Sequence, residues 1–506
     1  MALPLSAPLS RRQLLTSAAG LGCTLSLASW AQTPNAPGNS DLTGQWRAMS
    51  RLGYGPTAAQ VQQLQRASSP RDWALQQLDA ARQASHSAAY IAPELQAIND
   101  SLPQIFAGAQ RERQARAALK AQDAAAPTEP SARLDFSTPP DALHYLRSMV
   151  EKTAVWRLTA SSRPDLENPL LARLTEFWFN HFNVYIGKGP VRPFVGHYLI
   201  NALRANALGR FEDLLLASAR HPAMLLYLDQ AQSVANGTPG AQGRSRGLNE
   251  NYARELMELH TLGVDGGYTQ NDVREMARVL TGWTVDPRDS SGFRFATRGH
   301  DRGSKTVMGL QLPDHWLGSG VAEGEQAIRM LARHPNTARR LSLRLARFFV
   351  ADTPPPALVQ RLTQQFLAHQ GDLMEWLRTL LESPEFWQAE NRLFKTPMDF
   401  ACSVLSATES APQRRAMLLT LGFLRDAGQP LHGWQTPDGY GTDAATWLAP
   451  EALTRRADYA LQMGQQSVAL DFLLPYLGAA TRTTVASASA RLQPGLVLAS
   501  PDFMYK

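Results

Sequence analysis

The sequence predicts a mainly α, multi-helical globular protein with a small β-hairpin near residues 293–309. Three observations carry this prediction. Apolar residues recur at three- and four-residue steps over 58–78, 170–228, 249–280 and 327–381, the period of amphipathic helices. Strand-like alternation is confined to Phe293-Arg294-Phe295 and Lys305-Thr306-Val307-Met308-Gly309. Helix-start signals punctuate the helical stretches: Gly55-Pro56-Thr57, His221-Pro222, Thr269 three residues before Asp272, His334-Pro335 and Ser383-Pro384.

The chain opens outside that fold. Ser10-Arg11-Arg12-Gln13-Leu14-Leu15 precedes a mild apolar run ending at Trp30, the layout of a twin-arginine export signal, with Ser29 and Ala31 placed for cleavage after Ala31. Cys23 raises a lipoprotein signal, but Gly20 stands where that signal wants Leu. Residues 1–31 are therefore expected to be removed, and the protein to be periplasmic or secreted. No later run approaches the ~20 apolar residues that span a bilayer. The chain has 50 Lys+Arg and 44 Asp+Glu, a net +6 that falls to +4 (48 minus 44) without Arg11 and Arg12. Over this length such a charge does not mark a nucleic-acid binder. Cys402 is then the only cysteine left, so the mature chain has no internal disulfide, and its apolar helix makes it a core residue.

Residues 32–125 read as an N-terminal helical region, its last part a solvated arm rich in Ala, Gln and Arg. Residues 126–140 read as a linker, and 141–506 as the helical core domain. Within it, Leu170–Val184 is a helix dense in aromatics that also carries Asn180, His181 and Asn183. Three polar side chains in an apolar helix are costly unless they serve one another or a ligand. The stretch 230–247 is rich in Gly, Ser, Asn and Gln. It has no Gly-Lys-Ser/Thr and no preceding strand, so it reads as a mobile loop and not as a phosphate loop.

The segment Asn249–Gly263 is the centre of the reading. Leu248, Tyr252, Leu256, Leu259 and Leu262 form its apolar stripe, Asn249 its N-cap and Gly263 its stop. Asn251, Arg254, Glu255 and Glu258 share another face. That patch is either an exposed ladder of Glu250–Arg254–Glu258 pairs or part of a site. The following Asp265-Gly266-Gly267 mimics half a calcium loop, but Gly263 cannot serve as a ligand, so a simple turn fits better. His300, Asp301 and Lys305 lie together on one loop, compatible with acid–base work or with solvation. Arg340, Arg344 and Arg347 form a basic stripe, either solvated or balancing the acidic patch.

Several strings together resemble one family of large exported bacterial proteins, the domain of unknown function 1800 family. They are Arg51–Thr57, Phe177–Val184, His221–Asp229, Asn249–Gly263, Asp265–Gln270, Thr281–Thr284, His300–Lys305, His334-Pro335, Lys395–Pro397 and Ser500–Phe503. The resemblance implies no activity. It does imply a partner, because genes of that family often neighbour those of a second exported family that looks like sulfatases and alkaline phosphatases. Around Gly428–Leu431 the chain departs from the pattern, so no site is placed there.

Two readings of function follow. In the first, the chain is a hydrolase-like enzyme with Glu255, Glu258, His181, His300 and Asp301 as catalytic residues around one cleft. Asn180, Asn183, Asn251, Arg254 and Lys305 bind substrate, and Glu255, Glu258 and His181 are the ligands if a divalent metal is held. The acids are then expected to raise the imidazole pKa values. No His-Glu-x-x-His, Glu-x-x-His or Gly-x-Ser-x-Gly motif accompanies them. In the second, the chain is a helical scaffold serving an exported sulfatase- or phosphatase-like partner, with the same residues as a mutually satisfied network.

Overall fold

A computed structural model describes residues 40–125, 143–239, 245–313, 320–388, 390–465 and 470–506. The export signal at 1–31 and the whole 126–140 linker lie outside these residues. The fold is mainly α, with small antiparallel two-stranded hairpins. No described helix is long and apolar enough to cross a membrane.

Local chemistry starts the helices where the sequence places them. Thr57 and Thr269 each close a capping box, with Gln60 and Asp272 respectively. Both His-Pro pairs work as N-caps: His221 Nδ1 accepts from the Ala223 N–H and His334 Nδ1 from the Asn336 N–H, each at 3.1 Å. Of the two Ser-Pro repeats only Ser500 caps, accepting from the Phe503 N–H at 3.2 Å, whereas the Ser383 hydroxyl turns back to the Leu380 carbonyl. The helical stretch over 58–78 divides into Ala58–Gln65 and Pro70–Ser85, because Pro70 begins a new first turn.

The single expected hairpin is two. Trp283–Val285 pairs with Phe293–Phe295, and Lys305–Val307 pairs with Leu310–Leu312. The two strand-like segments thus pair with neighbours closer in sequence than each other, as short loops favour. A third hairpin joins Thr238–Pro239 to Ser245–Arg246.

One hydrophobic core gathers buried residues from Ala48 to Phe386, so the N-terminal helices and the middle of the chain share it. A second, built mostly from Phe394 to Met504, takes in Tyr54, Leu158 and Ala172 and includes Cys402. The helices Tyr145–Ser162 and Pro169–His181 supply both cores. Buried charges cross between them. Asp399 pairs with Arg173 and Lys506, and the Arg173 guanidinium lies 4.8 Å from the Tyr54 ring and 4.4 Å from the Phe348 ring.

Candidate functional site

The Asn251–Glu255 helix does not continue as an α-helix. Leu256–His260 is a wide π turn, a local feature that concentrates at functional sites. Asn249 Oδ1 accepts from the Asn251 N–H at 2.9 Å, and Asn251 Nδ2 reaches the Leu228 carbonyl at 3.3 Å. Tyr252, Leu256, Met257 and His260 are buried, which turns the charged residues outward. Arg254 sits between Glu250 at 3.6 Å and Glu258 at 3.3 Å, so the ladder expected from four-residue spacing forms. Glu255 is different. It is half-buried, its side chain enters no ion pair or hydrogen bond among the described residues, and its pKa is raised by burial and by Glu258 and Asp438, with Arg254 opposing them.

Behind this face lie two buried imidazoles. His181 Nε2 is 3.1 Å from the His260 carbonyl oxygen, an acceptor, so that nitrogen carries the hydrogen. Its Nδ1 has no partner. The His181 ring stands edge-on to Trp178 and Phe182, and His260 edge-on to Phe182. Burial pushes the His181 pKa well below its ordinary value, with Arg344, His260 and Arg340 adding to the effect. Burial likewise takes His260 down to about 3, helped by Arg340 and Arg344. The sequence reading had acids raising the imidazole pKa values. The structure reverses this, because the charges that act on the rings belong to the arginines of the Pro335–Phe349 helix.

Arg340 donates from Nε and Nη2 to the Leu259 carbonyl at 3.3 and 3.1 Å. Arg344 lies deeper yet keeps contact with solvent. Burial lowers its pKa to about 10, and no described residue makes a hydrogen bond or ion pair with it. Arg347 alone of the basic stripe is exposed.

The remaining wall comes from the loop after His432. Asn180 Nδ2 donates to the Tyr440 carbonyl and Asn183 Nδ2 to the carbonyls of Trp434 and Thr436. Gly439 has φ +77°, and a Cβ there would stand 2.1 Å from the Asn180 carbonyl oxygen, so only glycine fits. The clamped loop presents Asp438, exposed and outside any ion pair, whose charge acts on Glu255, Tyr227, Arg340 and Arg344. The Tyr440 hydroxyl donates to Glu176, itself paired with Arg157. Tyr227 closes the edge, its hydroxyl donating to the Gln435 carbonyl at 2.7 Å. Lys188 fixes the turn after Tyr227 by bonding its carbonyl at 2.6 Å and Asp229 at 2.5 Å, while Asp229 holds the left-handed conformation at φ 60°.

His300, Asp301 and Lys305 assemble elsewhere. His300 Nδ1 faces the Thr281 carbonyl at 2.8 Å and its Nε2 faces Glu323 at 3.0 Å. Lys305 meets the same carboxylate at 2.7 Å, and Asp301 takes two bonds from Arg278. This group sits at the C-terminal end of Gln270–Leu280, whereas Gln270, at the other end, contacts Arg254 and Glu250. Among the described residues no hydrogen bond or ion pair joins His300, Asp301 or Lys305 to Glu255, Glu258 or His181. The sequence reading of a single cleft therefore divides into two clusters, because the hairpins carry His300 toward the Gly320–Ala332 helix. Among the described residues, no group of three or more His, Cys, Asp or Glu side chains is arranged to hold a metal ion.

Asp438, Tyr440 and Tyr227 were missed in the sequence. The stretch around Asp438 carries no periodicity or motif of its own, and only the Asn180 and Asn183 side chains bring it to the crevice. The arginine stripe was visible, but not the inward turn of Arg340 and Arg344.

The fold and this geometry define a class: a mainly α protein with two buried histidines packed behind a helix face whose acids, with Asp438, stand near two inward-turned arginines. The chain belongs to the family described as protein of unknown function (DUF1800), whose model matches residues 47–505 and so takes in every segment of the crevice. Searches of curated proteins and of solved structures returned no match.

Proposed function

We propose that this chain is an exported acid–base enzyme, hydrolase-like, that acts on a cell-envelope or extracellular substrate at the face shared by Glu255, Asp438 and Arg344. One observation carries the reading. Among the described residues Glu255 is a half-buried carboxyl outside any ion pair or side-chain hydrogen bond, its pKa raised by burial and by neighbouring acids, on a helix face where Arg254 and Glu258 pair with each other. A carboxyl of raised pKa is a better proton donor to a leaving group than an ordinary carboxylate, and once ionised it takes a proton from water, which is the work of a general acid–base. Arg344, with no ionic partner, and Arg340 supply positive charge for an anionic substrate group or a developing oxyanion. His181 and His260, held neutral, support the π turn from behind and exchange no protons with solvent.

The test is turnover. A panel of ester, phosphoester and glycoside substrates is incubated with the mature protein and with Glu255→Gln. Activity that falls at least ~100-fold in the variant, the range of general acid–base contributions, supports the reading. Activity retained in Glu255→Gln sinks it.

A second reading, a helical scaffold for an exported sulfatase- or phosphatase-like partner, draws on a different observation. Asn180, Asn183, His300, Asp301 and Lys305 are each satisfied by another residue of the chain. Co-purification of such a partner with an inactive chain would favour it over the enzyme.

A further inference from the structure

A groove of about 710 Å³ opens beside the crevice, between the Pro335–Phe349 and Pro356–Ala368 helices and the turn after Leu262. Its size lies in the ~300–1,000 Å³ range of small-molecule sites. Val264, Leu343 and Val359 make most of its wall apolar, Gln360, Thr363 and Gln364 add polar groups, and Val264 is 69 % exposed, unusual for a large apolar side chain. The charge is at one end. Arg339 and Arg340 line the groove opposite one acid, Asp265, so cations outnumber acids two to one. Among the described residues the Arg339 side chain enters no ion pair or hydrogen bond, and Arg340 uses only Nε and Nη2, both on the Leu259 carbonyl. Gly263, at φ +90°, lets the Arg340 side chain lie across the turn, since a Cβ there would already touch it at 3.4 Å. Arg340 belongs to both places: it lines the groove, and Asp438 acts on its charge.

We infer that the groove holds the aliphatic chain of a long-chain carboxylate, with its anionic end on Arg339 and Arg340, which makes the substrate of the Glu255 site a fatty acyl ester. The inference rests on the acid–base reading for its chemistry and on the groove alone for its ligand. Apolar walls favour a hydrocarbon chain, and a cationic end that leads into the crevice favours an anion over a neutral head. Hydrolysis of such an ester balances with water alone. The water oxygen forms a bond to the acyl carbon as the ester C–O bond breaks; Glu255 passes its proton to the departing alkoxide and regains one from the attacking water, and the second water proton leaves to solvent as the released acid ionises to the carboxylate that the groove holds.

Calorimetric titration of the full-length mature protein with laurate, below its micelle concentration, tests this against 1-dodecanol and acetate. Laurate is expected to saturate one site and to bind at least about ten-fold more tightly than either control. Arg339→Gln and Val264→Asp, both at exposed positions, are expected to weaken laurate about ten-fold while the helical spectrum stays unchanged. Absence of laurate binding, or equal binding by wild type and both variants, overturns the inference. The arm with Glu255→Gln separates the two proposals. Laurate binding that persists there beside undiminished turnover removes the acid–base role and keeps the groove. Turnover lost in Glu255→Gln, with no laurate bound by the wild type, removes the groove and keeps the acid–base role.

Discussion

Asn180 and Tyr440, 260 residues apart, exchange two hydrogen bonds: Asn180 Nδ2 donates to the Tyr440 carbonyl at 3.1 Å, and the Tyr440 N–H donates to Asn180 Oδ1 at 2.8 Å. A side-chain amide here completes a backbone pairing as a neighbouring strand would, and it fixes the loop that carries Asp438. The positions of Asp438 and Tyr440 therefore depend on a residue of the aromatic helix.

Asn180→Ala removes both bonds and leaves a half-buried backbone carbonyl and N–H without that partner. The expected loss is ~1–3 kcal/mol of stability, measured by urea denaturation. Limited proteolysis should meanwhile open new cleavage between residues 432 and 441. Unchanged cleavage in that segment would show that the clamp does not hold the loop.

Buried neutral histidines make stability acid-sensitive. His181, His221 and His432 are pushed well below the ordinary imidazole range and His260 to about 3, in each case first by burial. Their folded pKa values lie below the unfolded ~6.5, so the stability they contribute is whole above pH ~6.5 and is lost as pH falls. Each adds a slope of about 1.4 kcal/mol per pH unit once the unfolded chain is protonated. Unfolding free energies at pH 7.5 and 5.5 should differ steeply, and a flat profile would mean that these rings already carry protons in the fold.

Glu255 has the opposite sign. Its folded pKa is raised above the unfolded value, so its contribution is whole below the unfolded pKa and lost as pH rises through the folded one. Glu255→Gln mimics the protonated form and should raise the melting temperature at pH 7.5, with the gain vanishing near pH 4. Such a gain is expected of a residue kept for function at some cost in stability. A variant less stable than wild type at pH 7.5 would argue that the carboxylate has a structural partner.

Asp399 neutralises a buried cationic cluster. It accepts from Arg173 and Lys506, and the pairing holds its carboxyl below the usual carboxylate range despite burial. Asp399→Asn should cost ~3–5 kcal/mol, because two buried cations lose their counter-charge. A shift of the urea midpoint worth under ~1 kcal/mol would be the behaviour of a solvated surface pair instead.

Export remains a reading of Arg11 and Arg12. Changing both to Lys is expected to leave uncleaved precursor in the cytoplasm, seen by fractionation and blotting. Mature protein outside the cytoplasm in that variant would rule out the twin-arginine route.

Much of the fold was legible because its causes are local. The periods behind Pro169–His181 and Gln270–Leu280, the Thr57 and Thr269 boxes, the two His-Pro caps and the Glu250–Arg254–Glu258 ladder all involve residues within four positions of each other. Hydrogen bonds and side-chain contacts at that range need no tertiary partner, so the sequence by itself determined them. It also marked the stretch that carries Glu255 and the aromatic helix behind it.

Tertiary packing decided the rest. His181 meets His260 across 79 residues and Asn180 meets Tyr440 across 260, so neither spacing leaves a periodic trace. The same packing turned Arg340 and Arg344 inward, left Glu255 without a partner and drew His300 away to Glu323. Which charge stands beside which depends on how two apolar faces meet, and that is settled by burial over the whole core, not by the residues next to the charge.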